Sequence, residues 1–150
     1  VAHAIEALAA IAAPTPARSL REAANGDALR RARTCYDHLA GVLGVALADA
    51  LERNRLLVRK ADAYAVTRRG ATRFGEFGID VATVAASRRP LTRVCVDWSE
   101  RRPHVAGALG AAIATRCLEL GWIERLASSR AVAITAAGAA GFRDELGVAL

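Results

Sequence analysis

Apolar residues open the chain at helical spacing, at Val1, Ile5, Leu8 and Ala12, which marks one face of a 3.6-residue period. Pro14 and Pro16 end that pattern, because proline removes a donor and clashes inside a helix. Residues 14–31 are mainly polar and carry an Asn25-Gly26 turn signal, so they read as a linker with one helical turn at 18–24. Two longer apolar stretches, 38–54 and 103–120, predict long helices. Each precedes a pair of short runs, 56–59 with 63–67 and 123–126 with 131–135, whose composition predicts hairpins. Thr67 and Thr135 stand where a closing helix takes its N-cap. Asp37 and Asp97 read as N-caps of the long helices, Pro103 as a first-turn residue and Gly121 as a left-handed stop.

The two stretches repeat each other. Cys35, Asp37, His38, Gly41 and Gly44 return in order as Cys95, Asp97, His104, Gly107 and Gly110, with a six-residue insertion after Asp97. Downstream, Gly70, Phe74 and Gly78-Ile79 return as Gly138, Phe142 and Gly147-Val148. Ordered anchors that are not alanine point to duplication of one module. Long helix, two-stranded hairpin of the form apolar-Thr-x-x-Gly, then helix is the trailing half of a winged-helix unit. The expected fold is α+β and mainly helical, a tandem duplication of a winged-helix-like unit preceded by an amphipathic helix. Gly41, Gly44 and Ala48 on one long helix, and Gly107, Gly110, Ala111 and Ala114 on the other, suggest that these helices pack directly together about a pseudo-two-fold axis. Glycine inside a helix costs about 1 kcal/mol against alanine and implies close approach in return.

Composition narrows the function. The 150 residues suit one ordinary domain. Charged residues at 24% exclude a disordered tail, and no apolar run approaches the roughly 18 residues a bilayer needs. The net charge of +6 is spread along the chain rather than gathered into an arm, so it points only weakly to nucleic acid. Three cysteines, without a basic leader ahead of the opening helix, suggest reduced thiols in a cytoplasm. The chain holds no methionine, which suggests a piece of a longer protein.

Each repeat offers a thiol, a carboxylate and an imidazole. Cys35, Asp37, His38, Cys95, Asp97, Trp98 and His104 are therefore candidates for an effector site. Within that set Cys35, His38, Cys95 and His104 are candidate ligands of a thiophilic divalent metal ion, such as zinc or cadmium. The same residues also read as helix caps, small buried thiols and locally bonded histidines, or as redox-sensing cysteines. Trp98, in the insertion 98–103, covers core or meets a ligand. Arg68, Arg69 and Arg73 are solvated, or face DNA phosphates. No nucleophile elbow or Gly-rich phosphate loop accompanies the thiols, so the chain does not read as an enzyme.

Residues 32–47 (ARTCYDHLAGVLGVAL), 77–80 (FGID) and 97–113 (DWSERRPHVAGALGAAI) resemble the C-terminal region of longer ArsR-type winged-helix repressors, and the similarity runs over most of 28–147. The resemblance implies DNA binding by an N-terminal winged helix-turn-helix absent from this chain, a homodimer, and release by a metal or small-molecule effector. It does not carry over that family's Cys-x-Cys metal pair, which has no match here. On this reading residues 1–13 continue from the DNA-binding domain or dimerise, 14–31 link, 32–80 and 93–150 are the repeats, and 81–92 connect them. The chain would be an effector-sensing or dimerisation region of a bacterial regulator. The alternatives are a stand-alone module for a metal or thiol-reactive molecule, and direct DNA binding by the repeats.

Overall fold

A computed structural model describes residues 8–9, 11–13 and 16–149. The opening helix expected over 1–13 lies largely outside the described residues. Helix α1 (Leu20–Arg31) begins at Ser19, whose side chain accepts from Glu22 N. The segment read as a linker with one turn is thus three turns of helix: Asn25-Gly26 has turn residues but no proline, and Gly26 costs only its propensity.

The first half then runs β1 (Arg33–Cys35), β2 (His38–Ala40), α2 (Gly41–Arg53), β3 (Leu57–Arg59), β4 (Tyr64–Val66) and α3 (Arg68–Glu76). After the short helix α4 (Val81–Ala85), the second half repeats that order. It runs β5 (Arg93–Val96), β6 (Pro103–Ala106), α5 (Gly107–Glu119), β7 (Ile123–Arg125), β8 (Val132–Ile134) and α6 (Ala136–Leu146). Among the described residues the result is α+β, with helices and four two-stranded antiparallel hairpins.

The later hairpins, β3–β4 and β7–β8, fall where the paired short runs predict them. Thr67 and Thr135 cap α3 and α6 by accepting from Gly70 N and Gly138 N. The earlier hairpins, β1–β2 and β5–β6, correct the expected helix starts. Residues 38–40 and 103–106 are strands, and the long helices begin only at Gly41 and Gly107. Both glycines have positive φ, 76° and 85°, a region that L side chains rarely enter. The chain thus turns sharply from strand into helix. Asp37 and Asp97 therefore precede strands, and the N-cap positions are Ala40 and Ala106, whose own side chains cannot cap.

The expected helix-to-helix embrace is also corrected. Helix α2 packs on β6 and α5 on β2, so each long helix rests on the other half's second strand. The glycines of these helices serve first a close approach to each helix's own preceding strand, and only then the contact with the other half's histidine. A Cβ on Gly44 would lie 2.4 Å from Leu39 O and 3.7 Å from His104 Cβ; one on Gly110 would lie 2.5 Å from Val105 O and 3.2 Å from His38 Cβ. The halves are joined at the edges as well. Thr34 N donates to Arg130 O and Val132 N to Ala32 O beside β8, while Val94 N donates to Asp62 O beside β4. The main core draws on both halves: Leu43, Leu47 and Leu51 from α2, Leu109, Ile113 and Cys117 from α5, and Phe74 and Phe142 from the closing helices.

Candidate functional site

Cross-strand pairing in the two early hairpins builds the site. In β1–β2, Cys35 stands directly opposite His38 across the two-residue turn Tyr36-Asp37, where Tyr36 takes φ 59°. In β5–β6, Cys95 stands opposite His104. Residues directly opposite in an antiparallel pair carry their side chains on the same face, so each half contributes one thiol and one imidazole together. Because β2 and β6 lie against each other, the two pairs meet. The ligand atoms of Cys35, His38, Cys95 and His104 all lie within 4.8 Å of one another, and all four residues are buried. The two imidazoles stack with centroids 5.1 Å apart. All four metal candidates are thus brought together, one Cys and one His from each half.

The surroundings are small and apolar: Ala40 and Ala106 complete a cluster with the two cysteines, separate from the main core. Within it, His38 Nε2 and both ring nitrogens of His104 are buried without a hydrogen-bond partner. A buried polar atom left unmet costs about 1–3 kcal/mol, so three in one place form a concentrated cost. The Cys35 thiol is pushed up to about 11 by its hydrogen bond with Cys95 and by burial, against the pull of the two imidazoles beside it. In the absence of a cation Cys35 is therefore a neutral thiol at neutral pH.

Asp37 and Asp97 have parted roles. Asp37 Oδ1 lies 3.5 Å from His38 Nδ1, and Arg89 donates to the same carboxylate from outside. Burial raises the Asp37 carboxyl, but Arg89 and then His38 outweigh it and hold it below the usual range. Asp97 is occupied by the protein itself. Its Oδ2 accepts from Arg33 Nη2 at 2.7 Å and from Gly41 N at 2.6 Å; its Oδ1 accepts from Ser99 N, Ser99 Oγ and Glu100 N. Burial pushes this carboxyl up, yet those N–H groups, Arg33 and Ser99 together hold it far below the carboxylate range. Asp97 thereby caps α2 from the opposite half. Arg33 is 0% exposed, and its Cζ sits 4.6 Å over the Trp98 ring. Trp98 thus stacks on the buried Arg33 guanidinium.

The opposite flank is open. A cavity of about 440 Å³ is lined by Tyr36, Asp37, His38, Arg89, Arg93 and Gly107, among others. It leads from solvent to the His38 side of the cluster. Sequence reading missed Arg33 and Arg89, because nothing in their local sequence separates them from the many other arginines.

The arginines proposed to face DNA lie elsewhere. Arg68 and Arg69 are exposed at the start of α3, whereas Arg73 is taken up by Glu76 and by the side chain and backbone carbonyl of Glu145. Among the described residues no helix is long and apolar enough to cross a membrane.

No protein-family model matches the chain, and no solved structure matches it. The chain is 42% identical over 147 residues to a protein of Bacillus subtilis (strain 168) that carries the name uncharacterized HTH-type transcriptional regulator YdfF. The alignment covers 98% of this chain and 65% of the relative. The similarity therefore takes in nearly all of this chain but leaves about a third of that regulator outside it.

Proposed function

We propose that this chain is the sensory region of a bacterial helix-turn-helix transcription regulator of the ArsR-like type, built from two copies of a winged-helix-like unit. The Cys35/His38/Cys95/His104 cluster is its effector centre. DNA is held by a separate domain of the same protein, and the regulator acts as a homodimer without catalysing a reaction. The observation that carries this reading is the cluster's position. It is assembled from equivalent positions of both halves, at their junction, with buried imidazole nitrogens that no protein group satisfies. Likeness to a protein named as an HTH-type regulator supports the regulatory setting, and the common element order of the halves supports the duplication.

The mechanism is linkage. An effector held by both hairpins favours one arrangement of β2 against β6. It shifts operator affinity only by its differential affinity for the two arrangements. Asp37, Arg89 and the adjoining cavity give it a route in. Asp97 and Arg33 keep the far side rigid by tying β5 to the start of α2.

The test uses the regulator that contains this chain. Bound sequences are selected from fragmented genomic DNA, and fluorescence anisotropy then gives operator affinity for the wild type and for the Cys35→Ser/Cys95→Ser double variant. Occupying the wild-type cluster is expected to change affinity by a factor of about 5–150, and the variant should lose that response. Equal affinities throughout would overturn the regulatory reading. Operator binding by residues 16–149 alone would favour direct DNA contact by the repeats.

A further inference from the structure

Resting on the reading of this cluster as an effector centre, we propose that it is a closed four-ligand site for one thiophilic d10 divalent cation, zinc or cadmium. Two sulfurs and two imidazole nitrogens are the donor set that tetrahedral zinc takes, and such ions do not impose a geometry of their own. Metal–sulfur bonds of about 2.3 Å and metal–nitrogen bonds of about 2.0–2.1 Å place tetrahedral ligand atoms roughly 3.3–3.8 Å apart. The four atoms already lie within 4.8 Å of one another, so rotamer adjustments of about an ångström close the site without moving strands.

An independent observation points to the same occupant. His38 Nε2 and the ring nitrogens of His104 are buried and unpartnered, whereas nearly all such groups in proteins are satisfied. A cation satisfies one nitrogen on each ring at once. Charge also balances. Both thiols release their protons to solvent as the ion enters, and two thiolates with two neutral imidazoles cancel its double charge. The nearby Asp37 carboxylate is already matched by Arg89, so the buried site itself requires that neutrality.

Asp37 is the positioning residue. Its carboxylate lies beside His38 Nδ1, which fixes that nitrogen as donor and leaves Nε2 for the ion, the arrangement by which carboxylates orient metal-binding histidines. It also stands at the mouth of the open flank with Arg89, so the ion passes a carboxylate on its way in. On the other side Arg33 bonds Asp97 and stacks on Trp98.

The 150-residue chain, reduced and metal-free, is titrated with cobalt(II) as a spectroscopic probe and then with zinc or cadmium. The expected result is one ion per chain, with the strong visible bands of four-coordinate cobalt and a thiolate-to-metal charge-transfer band. Zinc should then abolish both. Cys35→Ser and Cys95→Ser should each lose the four-ligand spectrum, and Cys117→Ala, outside the site, should keep it. Asp37→Asn should weaken binding about 10–100-fold while leaving the stoichiometry unchanged. Should a cysteine variant fail to fold, alkylation of the wild type decides instead: zinc must protect Cys35 and Cys95 but leave the alkylation of Cys117 unaltered. Absence of a four-coordinate spectrum, its survival in the double cysteine variant, or a lack of zinc protection would overturn the metal site. An ion bound as described without any change in operator affinity supports the site and overturns the sensory reading. A regulator that answers a thiol-reactive compound but binds no metal overturns the site and leaves the sensory reading standing.

Discussion

Arg33 and Asp97 form the interior pair on which the junction depends, with side chains only 1% and 0% exposed. Removing one partner of such a pair leaves a buried charge unmatched, which costs about 3–5 kcal/mol. Asp97→Ala should therefore lower unfolding free energy by that amount, read from urea titrations at neutral pH. The same carboxylate sets an acid limb. Its folded pKa is depressed, so its contribution is fully present above the unfolded value of about 3.9 and drains away as pH falls toward the folded value. Asp97→Asn, which cannot titrate, should flatten stability against pH below about 4; an unchanged acid limb would show that other carboxylates set it. A second residue-scale expectation concerns Cys35. With its thiol pushed up to about 11, the metal-free protein should be alkylated there slowly at neutral pH, and about tenfold faster for each unit of rising pH below that value. Mass spectrometry of the labelled peptides measures it. The identities of Cys35, His38, Cys95 and His104 as one set were legible from the repeat. Asp97 was legible as a cap, but of α2 in the other half, because its own chain continues as a hairpin.

Helices and hairpins follow from local chemistry wherever a local signal exists. Thr67 and Thr135 each accept at 2.9 Å from the N–H three residues on, and their replacement by alanine should cost about 1 kcal/mol each, visible as a lower thermal midpoint. The early hairpins escaped detection for a physical reason. Residues 38–40 and 103–106 are too short to show alternation, and Asp37 and Asp97, which stand in the hairpin connections, read equally well as helix N-caps. The glycines on the long helices were legible as sites of close approach, but their partner was not. Gly44→Ala and Gly110→Ala each place a Cβ about 2.5 Å from a carbonyl oxygen of the strand just before the helix. Each should destabilise by about 1–3 kcal/mol. Each should also weaken metal binding, because the strand that must yield carries a histidine of the cluster. Wild-type thermal midpoints for both variants would refute the close packing.

Over the whole molecule, neither half owns a core. Leu43, Leu47 and Leu51 share theirs with Leu109 and Ile113, and each long helix lies on the other half's strand. A polypeptide of residues 32–89 should therefore lack cooperative structure by circular dichroism, and the full chain should unfold in one transition detected alike by fluorescence and far-UV signal. A stably folded half would contradict this interlocked core.

Local composition by itself determined the repeated helix–hairpin–helix order, the threonine caps and the residue types of the candidate site, since each depends on neighbours within a few positions. Tertiary structure alone decided that each long helix rests on the opposite half, that four ligand atoms converge at the junction, and that Arg33 finds Asp97. Those outcomes depend on the register between segments some sixty residues apart, set by how two incomplete cores fit together, and no local pattern encodes that fit.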